Sequence, residues 1–353
     1  MTEPHKKIAS LSLDLDNKWS YMKTHGDAGW ESFPSYLDVV VPRALDLLDE
    51  RRLAITFFIV GQDAALEPNR DALREIVIRQ DGRHEVGNHS FNHEPWLHLY
   101  TRAEVEAEFA RAESAIEAAT GRRTIGFRGP GYSLSATVLA VLRARGYAYD
   151  ASTFPSFLGP LARAYYFMTT RLDPEEKERR KLLFGRASEG LRPLKPYLWQ
   201  TEGGTLVEIP VTTMPFVKIP IHVSYLLYLS SLNNLAPKFA LRYFATALRL
   251  CEAGGVQPSL LLHPLDFLGC DDPCAKELAF FPAMNMTRGR KLELVGEILR
   301  LLTSRFNVLT LKEHAARAAD DPVLPVVPDE RLRASRGRAV PVAPTPVTSE
   351  QDC

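Results

Sequence analysis

Apolar and polar residues alternate from Ile8 to Asp16, with Ile8, Leu11, Leu13 and Leu15 supplying the apolar positions, and this pattern predicts a first strand leaving a short polar N-terminus. Strand and helix signals then take turns. Short apolar runs at Ala54–Val60, Glu85–Asn88, Thr124–Arg128 and Ala148–Asp150 predict strands, and helical patterns near Tyr36–Arg52, Asn69–Gln80, Arg102–Thr120 and Ser135–Arg145 separate them. A second series reads Thr205–Val211 as strand, helix near Pro237–Ala253, Ser259–His263 as strand, helix near Arg288–Ser304, and Asn307–Thr310 as strand. Regular βα alternation with apolar strands implies a parallel sheet in an α/β fold.

Polar residues collect where the predicted strands stop, which is where barrel and open α/β enzymes place their chemistry. Asp14 and Asp16 share one face of the first strand, because side chains repeat every second residue. His89 and His93 are four apart, so one helical turn or a tight loop would put both rings on one side. Two imidazoles and a carboxylate make a divalent-metal site, with a spare Asp beside them to act as base. Three further clusters follow in order: Arg128-Gly129-Pro130-Gly131-Tyr132, Tyr149-Asp150-Ala151-Ser152, and Leu260-Leu261-Leu262-His263-Pro264. His84, His98, His222 and His314 read as ordinary loop, surface or helix residues. His25, near Asp27, Trp19 and Trp30, is the spare candidate for substrate contact.

These five motifs in this order resemble the polysaccharide deacetylase family, also called the NodB-homology or carbohydrate esterase family 4 group. The resemblance covers about residues 8–155 and 205–315 and implies a distorted, incomplete (β/α)7 barrel. It makes Asp16, His89 and His93 the metal ligands and Asp14 the base that deprotonates water. It matches Arg128 to the arginine that orients the base, His263 to the acid that protonates the leaving amine, and Asp150 to the carboxylate that tunes that histidine. The backbone N–H of Tyr132 is the candidate oxyanion donor. Zinc is the first expectation for the ion, and cobalt, nickel or manganese would also suit the ligand set. The Asp-x-Asp spacing departs from the adjacent Asp-Asp form and resembles the variant of intracellular-type members and of those acting on lipid-linked sugars or other amides. The implied function is N-deacetylation of an N-acylated sugar, lipid-linked in one version. The alternatives are a non-sugar C–N hydrolase of a formamide or cyclic ureide, and a catalytically silent barrel binding a sugar or a partner.

Composition bounds these readings. A chain of 353 residues with 45% apolar content can bury a large core, and 43 basic against 43 acidic residues leave no net field to attract nucleic acid. Four cysteines without a pairing pattern, and a polar, basic start leading directly into the first strand, favour a cytoplasmic protein without a signal peptide. Residues 1–320 are expected to form the barrel, with an insert at about 154–204 carrying the charged patch Asp173 to Lys181. Residues 321–353 hold 6 prolines in 33 positions and are expected to form a disordered tail. The apolar run 214–235, broken by Pro215, Lys218, Pro220 and His222, is too interrupted to span a bilayer. It reads as core, as a flap over the site, or as a peripheral contact at the inner membrane face.

Overall fold

A computed structural model describes residues 7–159 and 187–333. Strand β1 (Lys7–Leu15) is buried throughout from Ala9, so its alternation separates barrel interior from helix layer rather than core from water. Ala9, Leu11, Leu13 and Leu15 belong to the main apolar cluster. On the other face Ser12 bonds to Arg128, and Ser10 bonds to His314.

Around β1 the chain lays down β2 (Thr56–Ile59), β3 (Glu85–Asn88), β4 (Gly126–Phe127) and β5 (Tyr149–Asp150), each parallel to the last. A hairpin follows, β6 (Tyr197–Thr201) against β7 (Gly204–Glu208), and β7 is parallel to β5. Strand β8 (Ser259–Leu262) pairs with β1 on the far side. The segment after β7 closes the ring: Ile209 N–H donates to Asp150 O (2.9 Å), Val211 to Thr153 O (2.9 Å) and Thr212 to Ser259 O (2.9 Å). Strands β1, β2, β3, β4, β5, β7 and β8 therefore make the expected distorted (β/α)7 barrel. Strand β9 (Phe306–Leu309) pairs with the N-terminal half of β1.

Helices form where the sequence provides caps as well as periodicity. The helix over Arg102–Thr120 starts at a Thr101–Glu104 capping box and ends at Gly121 in the left-handed conformation, matching the predicted span. Leu311–Ala319 has the same start signature, Thr310 with Glu313, and was not anticipated because only two turns of apolar periodicity follow it. This short helix buries His314, which bonds to Ser10 Oγ (2.8 Å) and Gln257 Oε1 (2.9 Å), so this histidine is an interior strut rather than a surface residue.

Two boundaries move. Tyr197–Thr201, assigned to the insert, is a strand with Trp199 1% exposed, and the Glu202-Gly203-Gly204 turn that reverses it is a recognisable hairpin signal. The folded region also extends past residue 320: Val326–Pro328 (β10) pairs with β6, and Glu330–Arg333 adds a helical turn. Val327 and Leu332 are buried in the cluster around Phe109 and Trp199, so tertiary burial overrides the proline-rich composition there. The remainder of the tail, 334–353, and the Asp173–Lys181 patch lie outside the described residues.

Close packing between β4 and β5 makes one position intolerant of any side chain. A Cβ at Gly126 would sit 2.0 Å from Tyr149 Cζ, and the Tyr149 hydroxyl is anchored to buried Glu85 (2.8 Å). Overpacking of a full core costs about 1–3 kcal/mol or more. Gly126→Ala is expected to lower the thermal midpoint by several degrees in a melting experiment, and an unchanged midpoint would mean that the ring moves freely.

Candidate active site

Parallel register sets the carboxyl ends of the strands in a row. Leu15, Ile59, Asn88, Phe127, Asp150 and Glu208 are successive cross-strand partners, so the residues after them, among them Asp16, His89 and Arg128, emerge together. The β1–β8 register, with Leu13 beside Leu262, continues to place Asp14 beside His263.

Asp16, His89 and His93 each offer one ligand atom within 4.8 Å of the others, the one such group of three among the described residues, and all are buried. Asp16 Oδ1 lies 2.9 Å from His93 Nε2 and 3.3 Å from His89 Nε2. The histidine pair sits on a tight loop, with Ser90 and His93 at positive φ (61° and 51°). Glu108 braces that loop from the neighbouring helix by accepting from the backbone N–H groups of Phe91 (2.8 Å) and Asn92 (3.1 Å). His89 Nδ1 donates to Arg128 O (2.6 Å), which leaves the Nε2 lone pair facing Asp16. One carboxylate oxygen and two imidazole nitrogens, the His89 tautomer fixed by its bond to Arg128 O, are a donor set that fits a zinc-class cation. Burial alone would raise the Asp16 pKa, but the His93 and His89 rings hold it well below the usual carboxylate range. Burial also disfavours both imidazolium ions; the adjacent Asp14 and Asp16 reverse this at His89, whereas His93 stays lowered.

Asp14 points to a different partner. Its Oδ1 accepts from Arg128 Nη1 (2.7 Å), and Arg128, 0% exposed, also reaches Ser12 Oγ (2.7 Å) and Ala151 O (3.0 Å). The guanidinium lies 4.5 Å from the Phe58 ring centre, and its Nη2 has no hydrogen-bond partner among the described residues. A carboxylate clamped by a buried arginine beside a cation site is placed to take a proton.

Two assignments need correction. Asp150 does not bond to His263; it accepts from Ser152 Oγ (2.6 Å) and faces buried Glu208, and Ser152 Oγ accepts from the Gly129 N–H (2.8 Å). Asp150 thus supports the Arg128-Gly129 turn. Burial raises both acids; the neighbouring Asp150 pushes Glu208 further, well above the usual range, while the hydrogen bond from Glu208 works the other way at Asp150, so the proton of the pair sits on Glu208. The carboxylate that serves His263 is Asp266, 1% exposed: it accepts the His263 backbone N–H (2.8 Å) and the Ser224 hydroxyl, and Ser224 Oγ lies 2.9 Å from His263 Nδ1. An acid three residues beyond His263 is a turn-capping spacing that could have been noticed; nothing local marks Ser224. The second correction concerns Tyr132. Its backbone N–H donates to Gly129 O (2.9 Å) and so is already committed, and its ring stacks on Phe154 (4.8 Å).

The loop after β1 forms a wall. Trp19 meets His93 edge-on (6.3 Å), and its Nε1 donates to Asp63 Oδ1 (2.9 Å), which also accepts from Asn17 Nδ2 (2.7 Å). Asp63, fully buried with its pKa raised to about 7 by burial, was missed because its contacts lie across strands. His25, the spare candidate for substrate contact, bonds to Asp27 and stacks on Phe280 (3.7 Å).

Fold and site together define a (β/α)7 barrel with a carboxylate–imidazole centre at the carboxyl ends of its strands. Residues 27–149 match the polysaccharide deacetylase sequence profile. It is 29% identical over 152 residues to the Helicobacter pylori peptidoglycan deacetylase (41% of this chain, 49% of that protein). It is 37% identical over 81 residues to the Sinorhizobium fredii chitooligosaccharide deacetylase (23% of this chain, 35% of that protein). The chain spans about half, or less, of the length of these relatives. Two solved structures with provisional polysaccharide-deacetylase names share the fold. One, from Mycobacterium smegmatis, has a TM-score of 0.55 and 17% identity and covers 99% of this chain and 97% of its own. The other, from Pseudomonas aeruginosa, has a TM-score of 0.53 and 16% identity, covering 91% and 95%.

Proposed function

We propose that the protein is a metal-dependent hydrolase that removes the acyl group from an N-acylated sugar. The observation that carries this reading is the convergence of Asp16, His89 and His93 beside the Asp14–Arg128 pair, with His263 on the adjacent strand. A divalent cation held by Asp16, His89 and His93 would supply Lewis acidity, polarising the acyl oxygen and making water a stronger nucleophile. Asp14 takes the proton of the attacking water, and Arg128 fixes its orientation. His263 hands a proton to the leaving nitrogen, with Ser224 and Asp266 setting its ring.

Sugar chemistry is supported by the names of the relatives, a peptidoglycan and a chitooligosaccharide deacetylase. A cytoplasmic location is supported by Cys251, Cys270 and Cys274, which are free thiols. No helix among the described residues is long and apolar enough to cross a membrane. The exposure of Phe216 (81%) and Leu235 (76%) supports peripheral contact through residues 214–235, although Val223, Leu226 and Leu227 of the helix Val223–Ser230 are core.

The test is amine release from N-acetyl and N-formyl amino sugars and their oligomers. Chelation is expected to abolish release, and zinc or cobalt to restore it; no release with any of zinc, cobalt, nickel or manganese would overturn the reading. The Ser224 contact makes a finer prediction. Ser224→Ala is expected to lower kcat by about tenfold, less than the 10²–10⁴-fold that the general acid itself contributes, and Ser224→Thr to recover most of it because the hydroxyl remains. Equal kcat in both variants would remove Ser224 from the proton path.

A further inference from the structure

A cavity of about 290 Å³ opens beside His263 and includes none of Asp16, His89 and His93 in its lining. Its walls are largely aromatic and aliphatic: Tyr225, Leu227 and Tyr228 from one helix, Phe281 from the loop opposite. Two polar atoms at this cavity, Tyr21 Oη and His222 Nδ1, are buried and have no hydrogen-bond partner among the described residues. Buried polar atoms are nearly always paired, so two orphans in one cavity mark a place where a ligand completes the set. The Tyr21 hydroxyl feels Asp16, Asp14 and Asp266, so it stands between the cation cluster and the His263 side of the site. Burial and these carboxylates keep it protonated, as a donor.

We infer that this cavity is a second substrate subsite that takes a hydrophobic substituent, alkyl or aryl, carried on the leaving-amine side of the scissile bond. The inference rests on the deacetylase reading, in which His263 protonates the leaving nitrogen, so a group against the flank of His263 belongs to the amine. A bare glycan fits this cavity poorly, because its hydroxyls would surrender water for two unpaired polar atoms. An apolar group fits well, with the Tyr21 hydroxyl and the His222 nitrogen left for a linking oxygen. The volume is on the order of ten waters at roughly 30 Å³ each, room for a hexyl or phenyl group. Lys291, 1% exposed, closes the floor: its Nζ donates to Leu265 O (2.8 Å), and burial lowers its pKa to about 8.

The test compares methyl, butyl, hexyl and phenyl β-glycosides of N-acetylglucosamine, with binding of amide-free hexyl glucoside measured separately by calorimetry. Burial of each methylene is expected to raise kcat/KM about fourfold until the cavity is filled. The phenyl glycoside separates aromatic from alkyl preference. Tyr228→Ala, at the cavity rim, is expected to reduce the hexyl-to-methyl ratio at least tenfold and to weaken hexyl glucoside. Equal kcat/KM across the series overturns the subsite and leaves the deacetylase reading intact. Binding of hexyl glucoside that Tyr228→Ala weakens, without hydrolysis of any glycoside, supports the cavity as an apolar binding site and overturns both its place on the leaving-amine side and the deacetylase reading. Neither binding nor hydrolysis overturns both.

Discussion

Replacing Asp14 with asparagine is expected to lower kcat by about 10²- to 10⁴-fold, the range that a positioned acid or base contributes. The substitution keeps size and an Oδ1 acceptor for Arg128 Nη1, now 2.7 Å away, but removes the capacity to take a proton. Metal content should stay near one ion per chain, because the cation cluster uses Asp16 and not Asp14. Some stability is lost as well. Arg128 is fully buried, and removing the charge of its partner leaves a guanidinium with only neutral acceptors, the amide Oδ1, Ser12 and Ala151, against it. Breaking buried ion pairs costs about 3–5 kcal/mol, and the retained hydrogen bonds should keep the loss below that. Steady-state kinetics, metal analysis and a melting curve on the same preparation decide the matter. Turnover within tenfold of the parent would remove Asp14 from the role of base.

His93→Asn is expected to release the cation and activity together. Asparagine tolerates the positive φ of 51° at this position better than most residues, so the loop should survive. It cannot replace the Nε2 that now faces Asp16 Oδ1 at 2.9 Å. Loss of an outer partner of a metal ligand costs about 10- to 100-fold in affinity, and loss of a ligand should exceed that. Chelator competition measures the affinity directly. A variant that keeps parental metal affinity would show that the cation sits elsewhere.

The architecture and the placing of most candidate site residues were legible in the chain. Alternating strands and helices, caps such as Thr101–Glu104, and the placing of Asp14, Asp16, His89, His93, Arg128 and His263 at strand ends depend on local periodicity and spacing. Contacts that cross the barrel were not legible. Asp150 ends β5 and Asp266 follows β8, and only the tertiary structure shows that the first pairs with Glu208 while the second meets His263 and Ser224. Tyr132 N–H looked free in sequence and is used within its own turn, a matter of backbone conformation (Gly131 φ 57°, Tyr132 φ 61°) that residue identity does not specify. Val326–Pro328 looked like tail and became a strand because β6 offered an unpaired edge.

The sequence by itself determined the kind of barrel and the set of groups at its rim, because periodicity is local and each motif carries its own residue types. The tertiary structure decided which group touches which: which aspartate meets the imidazoles and which the arginine, and what lies against the flank of His263. Those choices rest on cross-strand register and on side chains contributed by segments 39 to 114 residues apart, which no local pattern encodes.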